Sequence, residues 1–271
     1  MNKKYKLTNE TIQIGNKTLY RIQALRDIPG YVNAGDFGGF VESEYNLSQE
    51  GTCWVFDDAC VYDNAIVTNN AKIYNKAHIS ERARIMDCSA IYNEAHVAGH
   101  AIICGESRIR DNVVVADNAF ISNTNLYGNV HIHKRTSLSC CNVRDFVDIG
   151  GVMYLYDANF GGEAKIKCLA DYYLVQSPNQ YGTMLTIYKG IDGNKYVFES
   201  SYDRPILFSD FMKQLLSENK KYKSFKRYIN NYFSIREKEV YHEPRSFFVK
   251  SYHTDNETTF SFSVLDDELE R

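Results

Sequence analysis

The side chains with chemistry to offer recur at fixed spacing. His78 and His96 stand eighteen residues apart, with His100 four places further on; Tyr74 and Tyr92 repeat the same interval, with Lys72 before them and Arg108 and Arg110 after. Imidazoles in a row suit a general base or a metal ligand. Aromatic rings that run into cations suit a base or a phosphorylated ligand, held by stacking, cation–π contact and charge. His131-Ile132-His133 adds a further pair of imidazoles, about 7 Å apart on one side of a strand. The sequence offers no evident carboxylate or cysteine to complete that pair or the His78/His96 row, so no metal site is expected. The adjacent Cys140 and Cys141 point opposite ways along a strand.

These intervals follow from a shorter period. From Cys53 to Ser122 run twelve consecutive hexads, nearly all opening with a small residue and each carrying Val or Ile two places later, as in Ala59-Cys60-Val61 and Ala77-His78-Ile79. The first four residues of a hexad alternate inward and outward as a strand must. The last two make a corner, filled by pairs such as Asp57-Asp58, Asp63-Asn64 and Asn69-Asn70 whose side chains tolerate left-handed backbone. A strand this short cannot bury its face alone, so it must stack on copies of itself as a parallel β-solenoid.

The phase of the repeat resembles the hexapeptide repeat of left-handed β-helix proteins, in which three hexads close a triangular coil of eighteen residues. That resemblance implies three outward columns. The first holds Trp54, Phe56, Lys72, Tyr74, Ala90, Tyr92, Arg108 and Arg110, from which Lys72, Tyr74, Tyr92, Arg108 and Arg110 are the expected ligand-binding set. The plainer reading of the same column is a tyrosine ladder that stabilises cross-rung pairs. A second column carries Cys60, Tyr62, His78 and His96, with His100 at the corner below. The third holds Ile66, Met86, Ile102 and Phe120, an apolar stripe expected to form the contact between subunits of a homo-oligomer, a trimer or a dimer.

Around the repeat the expected organisation is an N-terminal β cap over 1–40, a left-handed β-helix over 41–168, a small α+β domain over 169–240 and an acidic tail over 241–271. The cap is a hairpin, Thr11 to Ile14 and Lys17 to Ile22 about Gly15-Asn16, joined to the solenoid through Gly38 and Gly39. After the solenoid come short strands over 172–175, 183–189 and 195–200, then one helix from Ser209 and another through Phe225, Ile229 and Phe233. The basic run Lys220, Lys221, Lys223, Lys226 and Arg227 reads as a solvated helix face.

Composition sets bounds on function. The chain has 271 residues, 44% of them hydrophobic, and a formal net charge of -3, which gives no bulk attraction to nucleic acid or anionic lipid. No apolar run reaches membrane-span length and the first residues lack a secretory h-region, so a cytoplasmic protein with no membrane partner is expected. Seven cysteines without metal-ligand spacing read as reduced thiols.

Two stretches, Leu19-Tyr20-Arg21-Ile22-Gln23-Ala24-Leu25-Arg26-Asp27 and Gly35-Asp36-Phe37-Gly38-Gly39-Phe40-Val41-Glu42-Ser43-Glu44, resemble the opening of a phage and prophage group of hexapeptide-repeat proteins. Leu185-Thr186-Ile187-Tyr188 is similar to a strand of that group's C-terminal α/β region. The resemblance implies a mobile-element context and the host cytoplasm, with no defined reaction. The expected function is a non-catalytic, cofactor-free binding protein, a counter-defence protein that sequesters a host protein or a small nucleotide. The alternative is an acyl-CoA-dependent transferase, the activity of many hexapeptide β-helices, with His78, His96 or His100 as base. Against it, the unbroken hexads leave no room for the long loop that shapes an acceptor site in those enzymes.

Overall fold

The small and branched residues of the hexads fill one continuous interior: Ala59, Val61, Ala65, Val67, Ala71, Ile73, Ala77 and Ile79 are all fully buried. The computed structural model describes residues 3–177, 183–199, 202–218, 223–236, 247–254 and 257–264, the last two spans as backbone. Within it the chain divides into two compact units, 1–157 and 158–271. The first is a parallel β-solenoid of about seven turns.

Rung strands such as Trp54–Val55 and Cys60–Val61 are two residues long, so stacking does all the work of holding them. Three parallel columns result. Trp54 pairs with Lys72, Lys72 with Ala90 and Ala90 with Arg108; Cys60 with His78, His78 with His96 and His96 with Val114; Ile66 with Arg84, Arg84 with Ile102 and Ile102 with Phe120. These are the eighteen-residue intervals expected from the repeat.

Corner residues Asp57, Asp63, Asn69, Asn75, Asp87 and Asn93 stand at φ between 53° and 61°, the left-handed region. For a residue other than Gly that conformation costs about 1–2 kcal/mol, less for Asn and Asp. The aspartates among them offset it by accepting the amide of the equivalent corner one coil on, Asp57 Oδ2 from Asn75 N at 2.9 Å, Asp63 Oδ2 from Glu81 N at 3.0 Å and Asp87 Oδ2 from Gly105 N at 3.0 Å, while Asn69 and Asn93 donate Nδ2 to Asp87 and Asp111. A hydrogen bond to a charged acceptor contributes about 1.5–3 kcal/mol. Hence the repeat uses carboxylates and amides where glycine alone would turn the chain.

Beyond Ser122 the coil contracts. Arg108 pairs with Asn125 and Asn125 with Asn142, Val114 with His131 and His131 with Asp148, Phe120 with Ser137 and Ser137 with Tyr154, each a step of seventeen. The missing residue always comes from the same corner, where Asn123, Cys140 and Asp157 each stand in place of a pair, at φ 48°, 56° and 53°. Side chains repair the ladder there. Asn123 Oδ1 accepts Glu106 N at 3.0 Å, Ser107 Oγ accepts Thr124 N at 3.2 Å, and Thr124 Oγ1 accepts Cys141 N at 3.1 Å.

At the start of the solenoid, Tyr5–Ile14 and Lys17–Ala24 form an antiparallel hairpin, and Phe37–Val41 pairs antiparallel with the second strand and parallel with Cys60–Val61. A Cβ at Gly38 would lie 2.5 Å from Val55 O, and one at Gly39 2.5 Å from Ala59 O, so glycine is required by close backbone approach. Trp54 is fully buried, with Tyr5 edge-on at 6.2 Å.

In the second unit, Tyr172–Gln176, Met184–Lys189, Lys195–Phe198 and Ile206–Leu207 make an antiparallel sheet in chain order. Helices Phe208–Glu218 and Lys223–Arg236 bury Phe211, Met212, Leu215, Phe225, Ile229 and Phe233 with Tyr173, Val175, Leu185, Ile187 and Val197. The first helix begins one residue before the Ser209 expected as its cap. Asn159 N donates to Thr186 Oγ1 at 2.7 Å and Tyr188 OH to Gly161 O at 2.7 Å. Within the segment read as a tail, Phe247–Thr254 and Glu257–Val264 pair as a hairpin. The acidic end from Asp266, together with Ser200, Lys220 and Lys221, lies outside the described residues.

Candidate functional site

The expected ligand face begins as a ladder of parallel rings. Phe56 and Tyr74 stack at 4.5 Å with 8° between planes, Tyr74 and Tyr92 at 4.8 Å with 3°. Inserting a base between two rings needs about 7 Å, twice the ~3.5 Å contact distance, so these rings satisfy one another and offer edges, not faces. Burial first, then the neighbouring Tyr92, pushes the Tyr74 hydroxyl pKa up to about 12. The ladder then turns cationic. Arg110 lies on the next rung, with its guanidinium 5.4 Å from the ring of Tyr127, whose hydroxyl accepts from Arg144 Nη1 at 3.3 Å. Arg108 and Arg110 are exposed and, among the described residues, neither forms an ion pair.

Lys72 departs from expectation. It occupies the outward position the alternation assigns it, yet it is only 5% exposed, because the loop carrying Thr52 and the ring of Tyr31 close over it. Its Nζ donates to Thr52 O at 2.6 Å and Asn70 O at 2.9 Å. Burial, with Lys4 as a further cause, brings its pKa down to about 8. Lys72 therefore braces backbone carbonyls and does not line the ligand face. Lys4 does the same one step earlier, fully buried with its Nζ on Cys53 O at 2.9 Å and Glu50 O at 3.1 Å.

On the second column His78 and His96 stack at 5.0 Å, with Tyr62 edge-on to His78 at 6.2 Å. Among the described residues no carboxylate is hydrogen-bonded to either ring. His100 Nε2 lies 3.4 Å from Arg82 Nη1, at the rim of a shallow, open hollow lined also by Asp63, Glu81 and Gly99. The three histidines named as candidate bases thus fall in two places, and none has the carboxylate that orients a catalytic imidazole. Cys60, beside them, is buried, which raises its thiol pKa to about 11 and makes it a poor nucleophile.

Lower on the same column the oriented imidazole does occur. His133 Nε2 is 2.9 Å from Asp148 Oδ1, with His131 Nδ1 3.9 Å from the same oxygen. The sequence search missed Asp148, Tyr127 and Arg144 for one reason: each stands seventeen residues after its partner, and a search at eighteen lands on the wrong face.

The third column is apolar except for Arg84, exposed between Ile66 and Ile102, and Ser137, which follows Phe120. Ile66, Met86 and Ile102 are half-buried, Phe120 is 37% exposed, and Tyr154 extends the stripe at 59%. No helix among the described residues is long and apolar enough to cross a membrane. No protein-family model matches the chain, and no curated protein matches it either.

Proposed function

We propose that this chain is a non-catalytic binding protein that holds a phosphate-bearing, nucleotide-type ligand on the Arg108/Arg110 end of the tyrosine ladder. The observation that carries the reading is a pair of exposed arginines on one rung without ion-pair partners among the described residues, Arg110 between Tyr92 and Tyr127 and Arg108 between Ala90 and Asn125. Guanidinium groups bind phosphate oxygens in a bidentate manner and present flat faces to a base. The ring edges and hydroxyls of Tyr92 and Tyr127 would frame the same ligand. The coil is read as left-handed and the N-terminal hairpin as its cap, both on the resemblance to phage and prophage hexapeptide-repeat proteins. In that context the protein would act in the host cytoplasm, sequestering a nucleotide signal of host defence, and the Ile66, Met86, Ile102 and Phe120 stripe would join copies of the chain.

Native mass spectrometry after incubation with nucleoside diphosphates and cyclic dinucleotides tests the reading. Retention of one probe with its mass unchanged is expected, and R108A/R110A should weaken it at least about tenfold, the loss of two charge-assisted contacts. Binding equal to wild type in that double variant, or no retention of any probe, would sink it. A product of altered mass would point to an enzyme instead.

A further inference from the structure

We propose that His131, His133 and Asp148 form a binding site for a divalent transition-metal ion. Each offers one ligand atom, and the three atoms all lie within 4.8 Å of one another, with Asp148 Oδ1 2.9 Å from His133 Nε2 and 3.9 Å from His131 Nδ1. An ion bound tetrahedrally at about 2.0–2.1 Å from each donor places those donors about 3.3 Å apart. Two of the separations, 2.9 and 3.9 Å, lie on either side of that value and the third lies within 4.8 Å, so side-chain rotations are needed to close the set.

The backbone holds this arrangement. His131 and His133 are two apart on one strand and face the same side, their rings 4.7 Å apart, and parallel pairing sets Asp148 beside His131 and Gly150 beside His133. Gly150 is the second observation that points to a site. A Cβ there would lie 1.9 Å from His133 Nε2, so the position must be empty for the ring to lie over it toward Asp148. Gly150 is not among the residues of positive φ, so a left-handed backbone does not explain the glycine.

Two imidazoles and one carboxylate select the later first-row ions, zinc, cobalt or nickel, over magnesium and calcium, which take oxygen ligands. Coordination through His133 Nε2 puts that ring's proton on Nδ1, and Asp148 turns from accepting that proton to binding the ion. The side chains remain 50%, 23% and 32% exposed, so water or an anionic oxygen can complete the coordination.

Calorimetric titration of chelator-treated protein with Zn2+, and the visible d–d bands of bound Co2+, test the site. One ion per chain and tetrahedral or five-coordinate cobalt bands are expected. H131A, H133A, D148N and G150A should each weaken binding about tenfold or more while circular dichroism stays that of wild type, and C88S/C140S should bind as wild type does. Absence of cobalt bands in the wild-type protein would overturn the proposal. So would undiminished Zn2+ binding in the H131A/H133A/D148N triple variant, which would put the ion elsewhere.

Discussion

His78 shows how a half-buried imidazole acts on stability. Burial first, then the neighbouring His96, holds its pKa below the ordinary imidazole value, so the folded protein binds this proton more weakly than the unfolded chain does. The contribution is fully present above the unfolded pKa of about 6.5 and is lost as the pH falls from there toward the depressed folded value. H78Q, neutral throughout, should flatten that part of the profile: its urea midpoint should change less than wild type's between about pH 7.5 and about pH 5. Parallel profiles for the two proteins would exclude the effect. Lys72 carries the complementary lesson. Strand alternation correctly made it outward, but the ring that covers it, Tyr31, comes from a segment that no local period relates to it.

At the scale of the coil, the corner decides both geometry and what the sequence reveals. Asn123 stands alone at a shortened corner and its side chain supplies the acceptor that Glu106 N needs. N123G keeps the positive φ and loses that acceptor with the long, exposed Nδ2 contact to Ser122 Oγ at 3.3 Å, so it should cost about 0.5–1 kcal/mol. N123A also forces Ala into the left-handed region and should cost about 2–3 kcal/mol in all. Chemical denaturation separates them; equal losses in the two variants would mean that backbone conformation has no part in the cost. The twelve hexads made the coil, its inner residues and its three columns readable, because a six-residue period with small and branched positions has few other solutions. The contraction shows in the sequence as slips in the period beyond Ser122, each of which resets the partner of every later residue. Adding eighteen to His131 gives Ile149, an inward residue; adding seventeen gives Asp148, the missing carboxylate.

Taken whole, the first unit is a prism whose faces carry different chemistry on one frame: aromatic and cationic, imidazole-bearing, and apolar. The apolar face belongs to the question of assembly. I102D places a carboxylate between Arg84 and Phe120 on this column and should lower the mass of an oligomer measured by light scattering; an unchanged mass would remove this face as the contact. The small α+β unit was legible in its strands and helices because each has its own period and its own breaker residues. Register stacking has a last consequence, for inheritance. Because every rung meets only the rung above and the rung below, an in-frame slip in the gene that copies or drops one whole coil hands each neighbour a surface it already fits. The tyrosine ladder can thereby gain or lose a ring between generations, whereas a slip of any other length turns every later side chain onto the wrong face.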